Sequence, residues 1–570
     1  MSWNLKEKAR AILAEEEGAI RKDWGGKVAI ALVYPNTYAV GMSNLGFQTI
    51  YWHLNQLPDV VCERVFLPDP ADLPEYRRTD TLPFSLESQR PLAEFDLVGF
   101  SVTYEGDFIN VLRLLRMAGI PLESRQRRPS DPVVLMGGVC AFSNPEPMAP
   151  FMDFIVVGEG EEIVTEIVAA YRQAFEGVPL QSRRRDAFFD ALRPIPGIYL
   201  PHDYEVKYHA DGTIRSVTPT NGAPPIVVKR RLKDVNAFET LSLVKSPRAE
   251  YGHLALLEVG KGCGRGCRFC LEGEIYRPVR HRSLESLRET IEKLSKSSKR
   301  VGLVGACVSD YPWISGLMKI LEEHGMEISI SSLRADSLTE ELVFGLARGG
   351  HRTLTIAPEA GTERLRQVIR KSITDEQLYE ACRWIRAASI PNLKCYFMIG
   401  LPSESDEDIE AIPGLALRLL DRLNVKGGDG QPFGRLTLSI SSFVPKPWTP
   451  FQWCSFEEVT RLAEKLTRIK AAVRRYPIRV LHENPREALL QAMLARGDRR
   501  VAEFLQLAAE RDGEWRQALR EWDGDPAFYA YRQRPLDETL PWDHFEVGVK
   551  KSGLIREYER AGLVPVESTV

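Results

Sequence analysis

The first 170 residues alternate short apolar runs with stretches in which apolar residues recur at helical spacing. The apolar runs predict strands at 28–34, 60–66, 96–103, 132–136 and 154–157, and the other stretches predict helices that include 44–56 and 108–117. This alternation is typical of an open, largely parallel α/β sheet of Rossmann-like type. Such a sheet binds ligands beyond the carboxyl ends of its strands, so the candidate ligand-binding residues here are Ser101, Gly137, Gly138 and Gly158.

A second alternation of strands and helices begins at Leu254. Further strands are predicted at 301–303, 327–331, 353–356, 394–399 and 436–443. Six β/α units indicate a partial (β/α)6 TIM-like barrel, whose reactive residues should lie at the carboxyl ends of its strands. The α/β chain therefore divides into a Rossmann-like domain (1–170), a connector (171–250), the partial barrel (251–455) and a helical C-terminal region (456–570).

Three cysteines lie in the glycine-rich loop that follows the first barrel strand. Cys263, Cys267 and Cys270 have the spacing C-x3-C-x2-C. Glycine allows thiolates to converge and backbone amides to approach the sulfides of a four-iron four-sulfur (4Fe-4S) cluster. Four irons ordinarily take four thiolates, and because no fourth Cys follows at ligand spacing, one iron would stay open for catalysis. A zinc site is the alternative, but it normally needs two C-x2-C pairs, and this loop has one.

This motif resembles that of the radical S-adenosylmethionine (SAM) superfamily, in which an aromatic residue commonly precedes the last Cys, as Phe269 does here. The resemblance implies a 4Fe-4S cluster bound by the three cysteines and SAM bound at the open iron. It also implies reductive cleavage of SAM to methionine and a 5′-deoxyadenosyl radical that abstracts hydrogen from a substrate. An electron donor such as flavodoxin or ferredoxin would be a partner.

The ends of the later barrel strands supply candidates for the SAM pocket of that family. They are Gly305 and Ala306 after the second strand, Arg334 after the third, Glu359 after the fourth and Gly400 after the fifth. Arg334 could pair with the SAM carboxylate, and Glu359 could accept from its amino group or ribose hydroxyls. The alternative is that the glycines are turn residues and that Arg334 and Glu359 form ordinary ion pairs at the rim. Their common position at strand ends favours the pocket.

The N-terminal domain resembles the cobalamin-binding domain found ahead of many radical SAM domains, through Met136-Gly137-Gly138 and the run from Asp153 to Glu161. The D-x-H-x-x-G motif, whose His ligates cobalt, is absent, and His53 is the only His in the first 200 residues. Two alternatives follow: cobalamin binds without a protein His, or the domain is a scaffold without a corrin.

Composition limits the classes of function that the chain can have. With 27% charged residues and a net charge of −3, it does not indicate a nucleic-acid-binding protein. No apolar window reaches the length of a membrane span, and no secretory leader follows Met1. Nine cysteines without a disulfide-like pattern favour a reducing, cytoplasmic location.

Three hypotheses follow from the sequence. The first is a cobalamin-linked radical SAM enzyme that transfers a methyl group to an unknown substrate. The second is a corrin-free radical SAM enzyme that modifies tRNA or a peptide, and the missing cobalt-ligating His favours it. The third is a non-enzymatic iron–sulfur or zinc module, which would have a fully ligated metal.

Overall fold

The computed structural model describes residues 2–179, 182–424 and 432–566. Its N-terminal unit has strands β1 (Val28–Tyr34), β2 (Val60–Phe66), β3 (Leu97–Ser101), β4 (Val133–Gly137) and β5 (Phe154–Val156). The helices of this unit are α1 (Trp3–Ala14), α2 (Tyr38–Gly41), α3 (Leu45–Gln56), α4 (Leu73–Arg78), α5 (Phe108–Met117), α6 (Val139–Ser143) and α7 (Gly160–Phe175).

The N-terminal strands form one sheet with the order β2-β1-β3-β4-β5-β6, in which β6 (Ile198–Tyr199) is antiparallel and the others are parallel. Every residue of β1 is buried, as expected for a parallel strand covered on both faces. The predicted Rossmann-like sheet is confirmed. The register places Ser101 opposite Gly137, so the ends of β3 and β4 lie side by side.

The connector is a folded segment that completes two sheets. It contains α8 (Arg185–Leu192), β6, β7 (Tyr204–Tyr208), β8 (Ile214–Pro219) and β9 (Val227–Val228). Strands β7 and β8 form an antiparallel hairpin, and β9 pairs with a strand near the C-terminus, β19 (Phe545–Glu546). The connector thereby joins the N-terminal unit to the C-terminal region.

The barrel unit begins with β10 (Ala255–Glu258). Its other strands are β11 (Gly260–Lys261), β12 (Arg280–His281), β13 (Arg300–Val304), β14 (Glu327–Ile330), β15 (Thr353–Glu359), β16 (Asn392–Ile399) and β17 (Arg435–Ser442). Its helices are α9 (Leu271–Ile275), α10 (Leu284–Ser295), α11 (Ile314–Glu323), α12 (Glu340–Arg348), α13 (Glu363–Val368), α14 (Asp375–Ala387) and α15 (Asp406–Leu423). Capping boxes fix the starts of α14 and α15.

Apart from the antiparallel β11/β12 ribbon, the barrel strands are parallel and follow one another in chain order. One sheet has the order β10-β13-β14, another has β15-β16-β17-β18, and a parallel bridge between Leu333 and Ile356 joins them. The predicted partial TIM-like barrel is confirmed. Strand β18 (Ile478–His482) pairs with β17 and adds a seventh strand from a region for which the sequence predicts helices. This strand is short and only partly buried, so its hydrophobic signal is weak.

The remaining C-terminal residues are mainly helical, as predicted. Their helices are α16 (Val459–Val473), α17 (Pro485–Arg496), α18 (Val501–Glu510), α19 (Trp515–Glu521), α20 (Pro526–Ala530) and α21 (Lys551–Arg560). One buried apolar cluster includes Phe100 of the N-terminal sheet, Phe451 after β17 and Trp542 of the C-terminal region. Three units therefore share a core. None of the helices in the described ranges combines the length and apolar character that a membrane span needs.

Candidate active site

The cysteine loop leaves β10 at the carboxyl end of the barrel, passes through the short β11 and ends at α9, after which β12 returns to pair with β11. Cys267 is buried, and Cys263 and Cys270 are half-buried. Gly262 has a φ of +83°, and a Cβ there would stand 2.5 Å from the Tyr276 carbonyl oxygen. Only glycine fits this turn, which brings the first thiol back toward the other two.

The thiols of Cys263 and Cys270 are influenced mainly by burial. Burial raises the pKa of Cys270 to about 12 and also raises the pKa of Cys263. Cys270 also lies within electrostatic range of both Cys263 and Cys267, and Cys263 lies within electrostatic range of Cys267. Because a buried thiolate needs a compensating positive charge, these side chains suit a cationic metal centre.

Arg334, at the end of β14, brings a positive charge to this loop. Its Nη1 donates to Cys267 Sγ at 3.5 Å, while Nε and Nη2 each donate to Asp336 at 2.9 Å. Arg265 of the cysteine loop pairs with Asp310, and its Nη1 lies 3.2 Å from Asp336. The structure therefore links the cysteine loop to the turns after β13 and β14.

The donor set does not suit a single metal ion. Within the described ranges, no three His, Cys, Asp or Glu side chains stand close enough together to hold one ion. The irons of a 4Fe-4S cube are bound at separate corners, so its thiolates need not meet at one point. Three thiols on one glycine-rich loop fit a cube better than zinc.

The other candidates for the SAM pocket also follow barrel strands. A Cβ on Gly305 would stand 3.2 Å from Val259, so the turn with Ala306 packs beside the start of the cysteine loop. Glu359 has a φ of +70° and pairs with Lys371 at 2.6 Å, and Gly400 donates its N–H to Glu404 at 2.9 Å. Arg334 is thus in direct contact with the cysteine loop, whereas Glu359 and Gly400 hold local partners.

Phe269 lies between two cysteines and packs against the core shared with the N-terminal unit. Its neighbour Arg268 donates its backbone N–H to the Ile369 carbonyl at 3.0 Å, and its guanidinium pairs with Glu557 of α21 at 3.2 Å. Arg265, Asp310, Asp336 and Glu557 were not among the residues that the sequence patterns indicated. Asp336 could have been found as the acidic neighbour of Arg334, but no local pattern indicates Glu557.

The carboxyl edge of the N-terminal sheet is partly covered by the chain itself. Gly138 has a φ of +94°, and a Cβ there would stand 2.4 Å from the Val102 carbonyl oxygen. Gly158 approaches Arg230 of the connector through an isolated parallel bridge. Gly137 faces open space, because a Cβ on it would meet nothing nearer than Val156 at 4.0 Å. A side chain would therefore fit at Gly137 but not at Gly138 or Gly158.

Polar side chains gather where β1 and β3 end. Asp107 accepts from Asn36 at 3.0 Å and from Asn110 at 3.1 Å, and burial raises the pKa of Asp107 to about 6. His53 lies near the end of α3, which runs back toward the amino ends of the strands. It packs against Phe238 with ring centroids 4.9 Å apart. His53 is also within electrostatic range of Glu161 at the start of α7, the helix that follows the carboxyl end of β5.

Comparison with known proteins identifies the two larger units. The family model "Radical SAM proteins, N-terminal" matches residues 46–201, and the model "Radical SAM superfamily" matches residues 257–415. An uncharacterized protein of Methanocaldococcus jannaschii is 29% identical over 480 residues, which are 84% of this chain and 90% of that protein. An uncharacterized methyltransferase of Pyrococcus horikoshii is 24% identical and aligns with 50% of this chain and 58% of its own length.

Among solved structures, the chain is similar to the radical SAM methyltransferase TsrM from Kitasatospora setae, determined with cobalamin and a [4Fe-4S] cluster bound. The TM-score is 0.46 at 16% identity, and the alignment covers 75% of this chain and 74% of that one. The superfamily core match includes the whole cysteine loop and the turns that carry Gly305, Arg334, Glu359 and Gly400. This chain belongs to the radical SAM superfamily and is a radical SAM enzyme, whose cofactors are SAM and a 4Fe-4S cluster.

Proposed function

We propose that Cys263, Cys267 and Cys270 bind three irons of the 4Fe-4S cluster and leave the fourth iron for SAM. The carrying observation is the arrangement of these thiols on one glycine-rich loop at the carboxyl end of β10, with Arg334 at Cys267. When bound, the cluster supplies the electron that cleaves SAM to methionine and a 5′-deoxyadenosyl radical. The described residues contribute binding, orientation and the exclusion of water.

Arg334 is proposed to stabilise the Cys267 thiolate. Two of its nitrogens are held by Asp336, so its remaining Nη1 is directed at the sulfur. A charge-assisted hydrogen bond of this kind favours the thiolate over the thiol. Roles for Gly305, Ala306, Glu359 and Gly400 in SAM binding stay predictions, as does a role for Arg334 at the SAM carboxylate.

Transfer of a methyl group through cobalamin is a second candidate activity. The strand order β2-β1-β3-β4-β5 places a topological switch point between β1 and β3, where doubly wound sheets bind cofactors. Ser101 and Gly137 end neighbouring strands beside that point, and Gly137 leaves open space. Against a corrin stand the covered end of β5 and the absence of the D-x-H-x-x-G motif. A corrin-free enzyme acting on tRNA or a peptide is the alternative.

Anaerobic reconstitution tests these proposals. We expect about four irons per chain, a reducible cluster signal by electron paramagnetic resonance and 5′-deoxyadenosine from SAM with dithionite as reductant. Cys267→Ala should abolish 5′-deoxyadenosine formation, whereas Cys382→Ala, which changes a buried thiol on α14, should retain it. Metal held without SAM cleavage by the wild type would contradict the radical proposal. Corrin extraction after incubation with hydroxocobalamin decides between the two N-terminal alternatives.

The physiological reductant is proposed to be a small electron carrier such as flavodoxin or ferredoxin, in place of dithionite. All nine cysteines are free thiols in the structure. We therefore propose a reducing, cytoplasmic location, where an oxygen-sensitive cluster and free thiols are both maintained.

A further inference from the structure

The inner face of the barrel is polar along strands whose outer face is apolar. In β16 the residues Leu393, Cys395 and Phe397 are buried against the outer helices, while Lys394 and Tyr396 between them are half-buried. Because side chains alternate across a strand, Lys394 and Tyr396 point into the barrel. Strand β17 repeats the pattern, with buried Leu436, Leu438 and Ile440 outside and hydroxyl residues inside.

The parallel register brings these inward residues together in layers. Thr355 of β15, Lys394 of β16, Thr437 of β17 and Arg479 of β18 are aligned neighbours in one layer. Tyr396 and Ser439 are neighbours in the layer above. The interior of a TIM barrel is ordinarily filled by branched apolar side chains. This one carries two cations, a phenol and several hydroxyls instead.

These polar groups lack the partners that a purely structural role would give them. Within the described ranges, Thr355, Thr437 and Ser439 make no side-chain hydrogen bond, and all three are half-buried. Among the described residues, the only polar partner of Lys394 Nζ is Tyr396, at 3.4 Å from the phenol oxygen and 4.8 Å from the ring centroid. Buried Lys371, by contrast, is neutralised by Glu359 at 2.6 Å, and buried Lys229 donates to the Ile275 carbonyl.

Carboxylates on the same inner face do not neutralise Lys394. Glu258 of β10 is held by Lys261 at 3.1 Å and by Arg282 at 3.2 Å. Glu483 follows β18 and continues the face two layers above Arg479. Arg479 forms no ion pair among the described residues and is exposed at the open edge of the sheet. The middle layer therefore carries uncompensated positive charge.

We propose that the barrel interior binds the anionic group, phosphate or carboxylate, of a hydroxyl-bearing substrate, with Lys394 as the principal cation. Arg479 adds charge from the open edge, and the hydroxyls of Thr355, Thr437 and Ser439 supply hydrogen bonds. This assignment rests on the proposed function, because it places the substrate below the carboxyl-end cysteine loop. A charged group held in the middle layer would leave the rest of the substrate directed toward that loop.

Calorimetric titration of the reconstituted holoenzyme with sodium phosphate and with sodium acetate tests the assignment. We expect saturable binding of at least one anion, with affinity reduced about tenfold or more in Lys394→Gln and largely restored in Lys394→Arg. Lys470→Gln is the matched control, because Lys470 lies on α16 and contacts His482 on the outer side of β18. The affinity of Lys470→Gln for each anion should be within about twofold of that of the wild type. Tighter binding of phosphate than acetate would assign a phosphate group, and the reverse a carboxylate.

Two results would overturn the assignment: no saturable binding of either anion by wild type, or equal affinity in Lys394→Gln and wild type when both have the same melting temperature and iron content. Formation of 5′-deoxyadenosine by the wild type is measured on the same preparation. Its absence would contradict the radical proposal alone, since anion binding does not require SAM cleavage.

Discussion

Gly158 shows how a single backbone position can limit the N-terminal sheet. Its φ is +125°, and an added Cβ would stand 2.1 Å from the Arg230 carbonyl oxygen. Gly158→Ala should therefore destabilise the protein by about 2 kcal/mol or more, from backbone strain and loss of this close approach. For a chain of 570 residues whose units share a core, that cost corresponds to a melting temperature lower by roughly 2 °C, measurable by differential scanning calorimetry.

Gly119→Ala is the control for the prediction about Gly158→Ala. Gly119 also has a positive φ, of +69°, but a Cβ there would meet no atom within 4 Å. Gly119→Ala should lower the free energy of unfolding by only about 1 kcal/mol, the conformational cost of an Ala at positive φ. Equal losses in the two variants would show that the approach of Arg230 contributes nothing. The position of Gly158 at a strand end predicts ligand binding. Its contact with Arg230 is distant in sequence and leaves no local signal, so it could not be predicted.

At the scale of elements, α21 holds the cysteine loop from the far end of the chain. Glu557 lies 3.2 Å from Arg268 of the loop and 3.2 Å from Arg370 after α13. Glu557→Gln should weaken both ion pairs and loosen the loop between Cys267 and Cys270. A loss of about 1.4 kcal/mol of stabilisation of the loop changes an equilibrium or rate constant about tenfold. We therefore expect the reconstituted variant to release iron to a chelator several-fold to tenfold faster than wild type.

Glu559→Gln is the matched control for this element. Glu559 lies on the same helix, is exposed and has no ion pair within the described ranges, so its variant should release iron at the wild-type rate. A Glu557→Gln rate equal to wild type would contradict a clamping role for α21. The cysteine spacing alone predicts the metal site. The residues that hold the loop in place lie about 100 and 290 positions further along the chain, and hydrophobic periodicity does not reveal such contacts.

At the scale of the whole molecule, strand periodicity predicts the order of units, because the longer strands of the N-terminal sheet and of the barrel are continuous or alternating apolar runs. Val28–Tyr34 and Val60–Phe66 have the predicted bounds. Strand β18 and the pairing of β9 with β19 could not be predicted in this way. They are short edge strands whose partners are distant in sequence, so their stability comes from neighbours and not from their own pattern.

A buried ion pair joins the N-terminal unit to the C-terminal region. Glu146 lies 2.7 Å from Arg499 Nε and 3.6 Å from His544, and its Oε1 accepts from Tyr199. Burial raises the pKa of Glu146, but Arg499 and His544 together outweigh burial and lower it to about 2. A carboxyl pKa that is lower in the folded than in the unfolded protein stabilises the fold above pH 4.5, by about 3 kcal/mol.

This stabilisation should disappear as the pH falls from 4.5 toward 2, because the folded carboxylate then becomes protonated. We expect Glu146→Gln to lower the melting temperature at pH 5 and above, and the difference from wild type to narrow below pH 4.5. Glu503→Gln on α18, an exposed side chain without an ion pair in the described ranges, should show no gap at any pH. Scanning calorimetry from pH 3 to 7 measures both. A melting-temperature difference between wild type and Glu146→Gln that widens in acid would contradict this prediction. It would mean that protonation of the buried carboxylate between the two units stabilises the fold.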